Sequence, residues 1–452
     1  MTITTSPGTP APCDSTGAPA LRTETTACTL LGSWRAHHSA ALGAHLQFHG
    51  APPLPERGDG SWPDRFAAAV DASGLTGRGG AAFPSSAKLA LARTGRTRGP
   101  GPTMVVNAME GEPASGKDRA LLSCVPHLVL DGAQLAAAAV GAPRIMVCVP
   151  NDRDDTARAV SVAIVERLGT ALAAVPMTVV RPPGRYVAGE ESALASWLDG
   201  GPGAPRFRPR KGVALTIGRG TALVHNAETL AHMALVARYG PDAFRAAGVA
   251  GSPGTTLVTV TGGVEHPGVY EVGSGTGLGD ILARARPVDG VQAVLTGGFG
   301  GCWVSPAALG TPFAPGPMRA AGGAVGAGVL VVLPRTACGV AETARVARYM
   351  AGESAGQCGP CVFGLPAVAE DLALLVEGRA GPGTTARLEG RLGAVDGRGA
   401  CRHPDGVVRM VRSGLSVFAA DVAAHASGRP CAHRAGPSLL PSATGATLRR
   451  SA

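Results

Sequence analysis

The chain has 452 residues, enough for about three domains at roughly 150 residues each. Its 66 Gly and 37 Pro make up close to a quarter of it, yet 45% of residues are hydrophobic, which predicts a globular, loop-rich chain and argues against a disordered one. Aromatics at 4% argue against a protein that grips bases by stacking, while a net charge of +9 suits an anionic dinucleotide or an acidic redox partner as well as nucleic acid.

The lead from Met1 to Trp34 is rich in Thr, Pro and Ala and has neither a basic start nor an apolar h-region, so no secretory signal is expected. The longest apolar run, Gly322 to Pro334, falls short of the roughly 20 residues that span a bilayer. A soluble, cytoplasmic protein without direct membrane insertion is the expectation. Ten cysteines in such a chain suggest metal or redox chemistry more than disulfides.

From about Asp71 onward strand-like and helix-like runs alternate. Met104 to Asn107 and Ile145 to Val149 read as short buried strands, and Asp131 to Val140 and Asp155 to Leu168 as Ala-rich helices. This alternation predicts an α/β layer on a parallel sheet. Gly200 to Lys211 reads as a loop, and Asn226, Glu228 and Thr229 open a further helix running to Tyr239. Gly251-Ser252-Pro253-Gly254 is a linker signal. After it, Thr256 to Thr261 alternates at period two and Val269-Tyr270 follows as a second strand. Gly279 to Arg286 supplies a helix, and Ala293 to Leu295 and Val329 to Leu333 later strands, a β-grasp-like pattern. Beyond Ala341 the pattern is helical, over Ala341 to Met350, Leu365 to Glu377, Leu388 to Val395 and Val407 to Ala424, predicting a small bundle.

Four segments carry chemistry. Gly74 to Pro84, containing Gly77, Arg78, Gly79, Gly80 and Phe83 and followed by Lys88 at a helix start, reads either as a phosphate-cradling loop or as a flexible turn. It is not the G-x-G-x-x-G dinucleotide fingerprint. Asn107-Ala108-Met109-Glu110-Gly111-Glu112-Pro113 leaves a buried strand at its carboxyl end, where α/β folds place ligands; a solvated turn with paired charges is the alternative. Gly184 to Ser192 sets Glu190 and Glu191 after Tyr186, as ligand groups or as complements to a helix dipole. Cys358-Gly359-Pro360-Cys361 can aim two thiolates at one metal centre, with Cys401 completing the cage. Structural zinc, with His403 or Cys431 as further ligands, competes with an iron–sulfur cluster, and free buried thiols are the remaining reading.

Taken together in this order, the four segments resemble the flavoprotein subunit of respiratory complex I, over about Ser73 to Phe418. The family's GRGGAGFP run and following Lys are matched at Arg78, Gly79, Gly80, Phe83 and Lys88, and its NADEGEP segment at Asn107, Ala108, Glu110, Gly111, Glu112 and Pro113. GEET is matched at Gly189, Glu190 and Glu191, and NVETL at Asn226, Glu228, Thr229 and Leu230. Pro267-Gly268-Val269-Tyr270-Glu271 matches the family's SLBB β-grasp domain. Four positions depart: Met109 replaces an acid, Leu91 an aromatic, His225 the first Asn of NNVETL, and Ala355 the first cysteine of ESCGKCTPC.

The resemblance implies an α/β protein with a Rossmann-like FMN-binding domain, a β-grasp-like SLBB domain and a C-terminal helical bundle carrying an iron–sulfur site. The divisions it implies are a mostly irregular lead at 1–70, the nucleotide-binding domain at 71–250, SLBB at 251–337, the iron–sulfur domain at 338–427 and a disordered tail at 428–452. Asn107, Glu110, Tyr186 and Asn226 would hold FMN under the Gly77 to Gly80 loop. Phe83, Lys88 and Glu191 would receive NAD(P)H, Glu190 would be a further cofactor-binding residue, and Cys358, Cys361 and Cys401 would hold a 4Fe-4S cluster that lacks one family ligand. Such a protein passes electrons from NAD(P)H through FMN and the cluster to a ferredoxin-like or membrane partner, with a ferredoxin-like or thioredoxin-like 2Fe-2S protein as the expected partner. The departures motivate an alternative, a non-catalytic relative kept as a docking subunit. The basic run Arg206 to Lys211 reads as a solvated loop, so no nucleic-acid partner is expected.

Overall fold

In the computed structural model the described residues are 28–94, 101–207 and 213–439. The stretch before residue 71, expected to be irregular, carries three helices: α1 (Gly32–His37), α2 (Leu42–His49) and α3 (Trp62–Ser73). The first two are short, and their Gly and His residues give little apolar periodicity to read. They are held by tertiary contacts instead. His45 Nε2 lies 2.7 Å from Asp131 Oδ2, and the Glu271 carboxylate accepts from Leu30 N at 2.7 Å and Leu31 N at 3.1 Å.

Next come α4 (Ser85–Thr94), β1 (Thr103–Asn107), α5 (Lys117–Cys124), α6 (Pro126–Val140), β2 (Arg144–Cys148) and α7 (Asp154–Arg167). They are followed by β3 (Met177–Val180), α8 (Glu191–Leu198), β4 (Leu215–Ile217), β5 (Gly220–Asn226) and α9 (Ala227–Arg245). The sheet order is β3-β2-β1-β5-β4, parallel except for β4. In β1 the consecutive residues Met104, Val105 and Val106 are all fully buried, the mark of a sheet covered by helices on each side. Helices α6 and α9 pack closely, and Gly132 is what permits it. A Cβ there would collide with the Leu230 carbonyl. Helix α9 is broken at Gly240-Pro241, where Gly240 takes φ +82°.

A two-strand ribbon, β6 (Gly248–Val249) and β7 (Ser252–Pro253), leads to a second sheet. It comprises β8 (Thr255–Gly262), β9 (Gly268–Gly273), β10 (Val291–Thr296), β11 (Cys302–Val304) and β12 (Val329–Pro334), in the order β11-β10-β12-β8-β9. Helices α10 (Leu278–Ala285) and α11 (Pro315–Ala320) accompany it, and Ile281, Leu282, Phe313 and Met318 form one core with Val258 and Val332. The C-terminal part is helical: α12 (Gly339–Gly352), α13 (Leu365–Val376), α14 (Thr384–Val395), α15 (His403–Val417) and α16 (Ala419–Ala426). Its core includes Leu365, Leu372, Leu392 and Val411.

Between residues 200 and 211 the described part has no regular structure, and 208–211 lie outside the described residues, as do 1–27 and 440–452. Residues 432–435 of the expected tail form a 3-10 turn. No single helix among the described residues is long and apolar enough to cross a membrane. The pair α5 and α6 passes that test only jointly, bends by 96°, and is buried along almost its whole length.

Candidate functional site

Strands β1 and β5 end side by side, with Asn107 and Asn226 as Cα partners in the parallel ladder. Strand β2 lies on the other side of β1, so chain order reverses at this point of the sheet. Crevices beyond the carboxyl ends of strands at such a reversal are where open α/β sheets bind ligands. Asn226 caps α9, its Oδ1 accepting from Glu228 N at 3.0 Å, and its Nδ2 donates to Asp118 Oδ2 at 2.7 Å. Asn107 Nδ2 donates to Gly189 O at 2.9 Å. Beneath them Lys117 is buried, with Nζ 2.9 Å from Asp118 Oδ1, 3.0 Å from Glu228 Oε2 and 3.1 Å from Asn226 Oδ1. Burial opposes its charge, but the two carboxylates outweigh burial and raise its pKa.

The glycine-rich loop forms the second wall. Gly77 N donates to Phe83 O at 2.8 Å and Thr76 faces Pro84, closing a turn in which Gly80 takes φ +104°. Arg78 N donates to Thr229 Oγ1 at 2.9 Å, and a Cβ on Gly79 would touch Asn226 Cβ at 3.5 Å. The loop therefore lies against the two strand ends, with Phe83 half-buried at its exit. Helix α4 follows and carries Lys88, whose Nζ donates to Glu191 Oε2 at 2.5 Å and Val224 O at 3.2 Å. Burial, and secondarily the Lys88 charge, hold the neighbouring His225 imidazole well below its usual pKa.

Residues 184–191 make the third wall. Tyr186 N donates to Glu353 Oε2 at 2.9 Å, its hydroxyl to Glu112 Oε2 at 3.4 Å, and Glu190 caps α8 through Ser192 N and Ala193 N, each at 2.9 Å. Glu110 sits at φ +37°, a conformation that costs energy for a non-glycine residue and is held by its surroundings. Its carboxylate accepts from Ser115 Oγ at 2.9 Å, Asp118 N at 2.8 Å and Arg119 N at 3.2 Å, so the group works as the cap of α5. Burial first, and then the Asp118 charge, raise its pKa. Glu112, accepting from Phe299 N at 2.9 Å, is pushed up to about 7 by burial.

The three cysteines Cys358, Cys361 and Cys401 come together between α12 and α15. Cys361, on a π-type turn over Pro360–Gly364, is pushed up to about 12 by burial and contacts Cys358 and the Ser354 hydroxyl, with Cys401 close enough to act on it. Cys401 in turn feels burial first, and also Glu190 and Cys358. Arg185 Nη2 donates to Ser354 O at 3.2 Å, so the loop carrying Tyr186 and the loop carrying the thiols are in direct contact. The other suggested ligands are engaged elsewhere: His403 Nε2 lies 2.8 Å from Met350 O, and Cys431 stands beside Cys338 and His425.

Sequence reasoning did not assign roles to Lys117, Asp118 or Glu228. The run Lys117-Asp118-Arg119 is visible in the sequence, but only the fold shows that Glu228, on a distant helix, completes the ion pair. Two observations bear on whether the residues fit the groups named above. Arg78 Nε, on the glycine-rich loop, and His225 Nε2, on β5, are buried without a hydrogen-bond partner, while Arg78 Nη2 donates to Pro253 O at 2.9 Å. Three thiols are donors of the kind that iron–sulfur clusters take, and among the described residues it is Cys338, His425 and Cys431, not these three, that converge within single-ion reach.

Residues 70–235 match the family model of the Nuo51 FMN-binding domain, and residues 341–425 that of the NADH-ubiquinone oxidoreductase-F iron-sulfur binding region. The chain is 29% identical over 382 residues to an F-type subunit of the NADH-quinone oxidoreductase of Rhizobium meliloti, covering 82% of this chain and 90% of that one. It is 30% identical over 382 residues to the corresponding F-type subunit of Streptomyces coelicolor, at 82% and 84% coverage. A chain of the NAD+-reducing NiFe-hydrogenase in its air-oxidized state superposes with a TM-score of 0.77 at 30% identity, covering 89% of this chain and 67% of that chain. Identity at this level over most of both chains, with both cofactor-domain models matched in order, places this chain in the family of the F-type subunits of NADH-quinone oxidoreductase, the flavoproteins of complex I.

Proposed function

We propose that this chain is an electron-transfer subunit that takes electrons from NAD(P)H at FMN and delivers them, through a 4Fe-4S centre, to an iron–sulfur partner. The observation that carries the reading is the direct contact of the crevice with the cysteine loop, through Tyr186 to Glu353 and Arg185 to Ser354. FMN, when bound, accepts two electrons as a hydride and releases them singly, which a one-electron centre requires.

The chain's own residues bind and orient. Asn107 and Asn226 at the strand ends and Tyr186 on the facing loop line the crevice while bonded within the chain, so each would share or exchange a contact to hold the flavin, and the Gly77, Arg78, Gly79, Gly80 loop allows close approach of a ring or phosphate. Glu110 supports this wall by fixing α5. Phe83 supplies an aromatic edge and Lys88 a cation for dinucleotide phosphates, which requires it to leave Glu191. Glu190 orders the start of α8, bringing Glu191 to the mouth of the crevice. Cys358, Cys361 and Cys401 supply three thiolates, and the Ser354 hydroxyl is the oxygen placed to serve where the family carries the cysteine replaced by Ala355. We assign the second sheet, with its accompanying helices, to the SLBB class, place the protein in the cytoplasm, and take the partner to be a thioredoxin-like or ferredoxin-like 2Fe-2S protein.

The internal bonding of Glu110 and of the Lys117, Asp118 and Glu228 group favours a second reading, a docking subunit without bound flavin. Iron, sulfide and flavin contents of anaerobically isolated protein separate the two. Near-stoichiometric flavin with three to four irons is expected, and neither cofactor would be found in a docking subunit. Replacing Asn226 by Ala removes a buried polar contact of about 1–3 kcal/mol, so flavin affinity falls roughly tenfold to a hundredfold. Unchanged flavin retention in Asn226→Ala would mean that the crevice is misassigned.

A further inference from the structure

Cys338, His425 and Cys431 converge at the far side of the helical domain, with Sγ, Nε2 and Sγ all within 4.8 Å of one another. Cys338 is buried at the N-cap of α12, His425 is fully buried in the last turn of α16, and Cys431 is half-buried beyond it. We propose that these three residues bind a zinc ion that staples the C-terminal segment to the helical bundle. The site is separate from the Cys358, Cys361 and Cys401 centre and does not depend on the flavin reading.

The imidazole is set for the role. His425 Nδ1 lies 3.0 Å from Leu375 O, a carbonyl that can only accept, so Nδ1 carries the proton and Nε2 keeps its lone pair. A metal-bound histidine typically has its second nitrogen fixed by such a carbonyl. That Nε2 faces Cys338 Sγ at 3.8 Å and accepts from Cys431 N at 3.2 Å, in keeping with a nitrogen free of hydrogen.

Geometry and charge agree. Zinc–sulfur and zinc–nitrogen bonds of about 2.3 and 2.0–2.1 Å in a tetrahedron set S···N at roughly 3.6 Å, so the observed 3.8 Å needs an adjustment of tenths of an ångström, with the Cys431 N–H giving up the Nε2 lone pair to the ion. Cys338 Sγ also accepts from Ala341 N at 3.4 Å, at the amino end of a 14-residue helix, a contact that helps an anionic sulfur where burial opposes it and a bound cation would supply the rest. Two thiolates and one divalent ion sum to zero, the balance that a buried site beside a neutral imidazole requires. Binding releases the two thiol protons to solvent. A two-sulfur, one-nitrogen donor set suits zinc better than magnesium or calcium, which take oxygen ligands. Solvent, or His433 two positions beyond Cys431, supplies the fourth ligand. The ion would join the start of α12 to the residues following α16 and so close the domain on itself.

The test is metal analysis with zinc-edge X-ray absorption on the full chain, purified anaerobically from zinc-supplemented culture. About one zinc per chain with two sulfur neighbours is expected. Cys338→Ser and Cys431→Ser should each lower zinc by about tenfold or more while leaving iron unchanged, and Cys358→Ser should lower iron and leave zinc. Cys431 is half-buried and follows the last long helix, so Cys431→Ser remains informative if Cys338→Ser fails to fold. The proposal is overturned if wild-type protein carries no zinc, if zinc is lost in Cys358→Ser but not in Cys431→Ser, or if mass analysis of the anaerobic protein finds a Cys338–Cys431 disulfide.

Discussion

Glu112 shows how burial tunes a single group in this crevice. With its carboxyl pushed up to about 7, the folded chain keeps a proton that the unfolded chain, titrating near 4.5, has lost. Folded protein therefore binds more protons between those values, and wild-type stability falls as pH rises from about 4.5 to about 7. Glu112→Gln keeps the acceptor for Phe299 N and mimics the protonated acid. Its unfolding free energy, measured on flavin-free protein, should match wild type below pH 4.5 and exceed it by up to about 3 kcal/mol at pH 8. A second prediction belongs to Ala355. Ala355→Cys restores a thiolate beside Ser354, so protein exposed to air should keep its fourth iron, and the three-iron paramagnetic signal expected of wild type should diminish. Asn107, Asn226 and the Cys358 and Cys361 pair stand out as candidates because each sits in a motif local in sequence, whereas the pairing of Asn107 with Asn226 and the approach of Cys401 to the other two thiols emerge from the fold. The role of Glu110 was not legible: a carboxylate in a motif reads as a ligand, and only the fold reveals Ser115, Asp118 and Arg119 already occupying it.

Among the elements, the parallel strands and the Ala-rich helices α6 and α7 could be read directly, since burial on both faces leaves continuous apolar runs. Helices α1 and α2 could not, because what fixes them lies elsewhere in the chain, at Asp131 and Glu271. The same limit applies to the contact between the 184–191 loop and the cysteine loop, which joins residues about 170 positions apart. That contact yields a kinetic prediction. Glu353→Ala removes the acceptor of Tyr186 N and loosens the two loops, and small misplacements between reacting groups are costly. Stopped-flow measurement should show flavin reduction by NADH unchanged and reduction of the iron centre slowed about tenfold. Equal slowing of both steps would indicate that Glu353 supports the crevice rather than the passage between centres.

For the whole molecule, the α/β domain depends on one buried charge cluster that ties the amino-terminal helices to the sheet layer. Asp131 is fully buried and pairs with His45, Arg167 and Arg238. Burial alone would raise its pKa, but His45, Arg167 and Arg238 outweigh burial and hold the carboxyl below its ordinary range. Asp131→Asn leaves the buried Arg167 and Arg238 without their anion and should cost about 3–5 kcal/mol of unfolding free energy, read from denaturant titration. At this scale the composition indicates a loop-rich globular protein, and the order of motifs an α/β nucleotide-binding part followed by a helical C-terminal part; which residues bind the parts to one another emerges only from the fold. The proposed function requires that the crevice and the cysteine centre form one electron path. It is tested most directly by anaerobic titration of the purified chain with NADH, followed by visible absorption and paramagnetic resonance. The account predicts a flavin spectrum that bleaches on NADH addition together with the appearance of a reduced iron–sulfur signal. A colourless protein, or a flavin that bleaches while the iron centre stays oxidised, would contradict it.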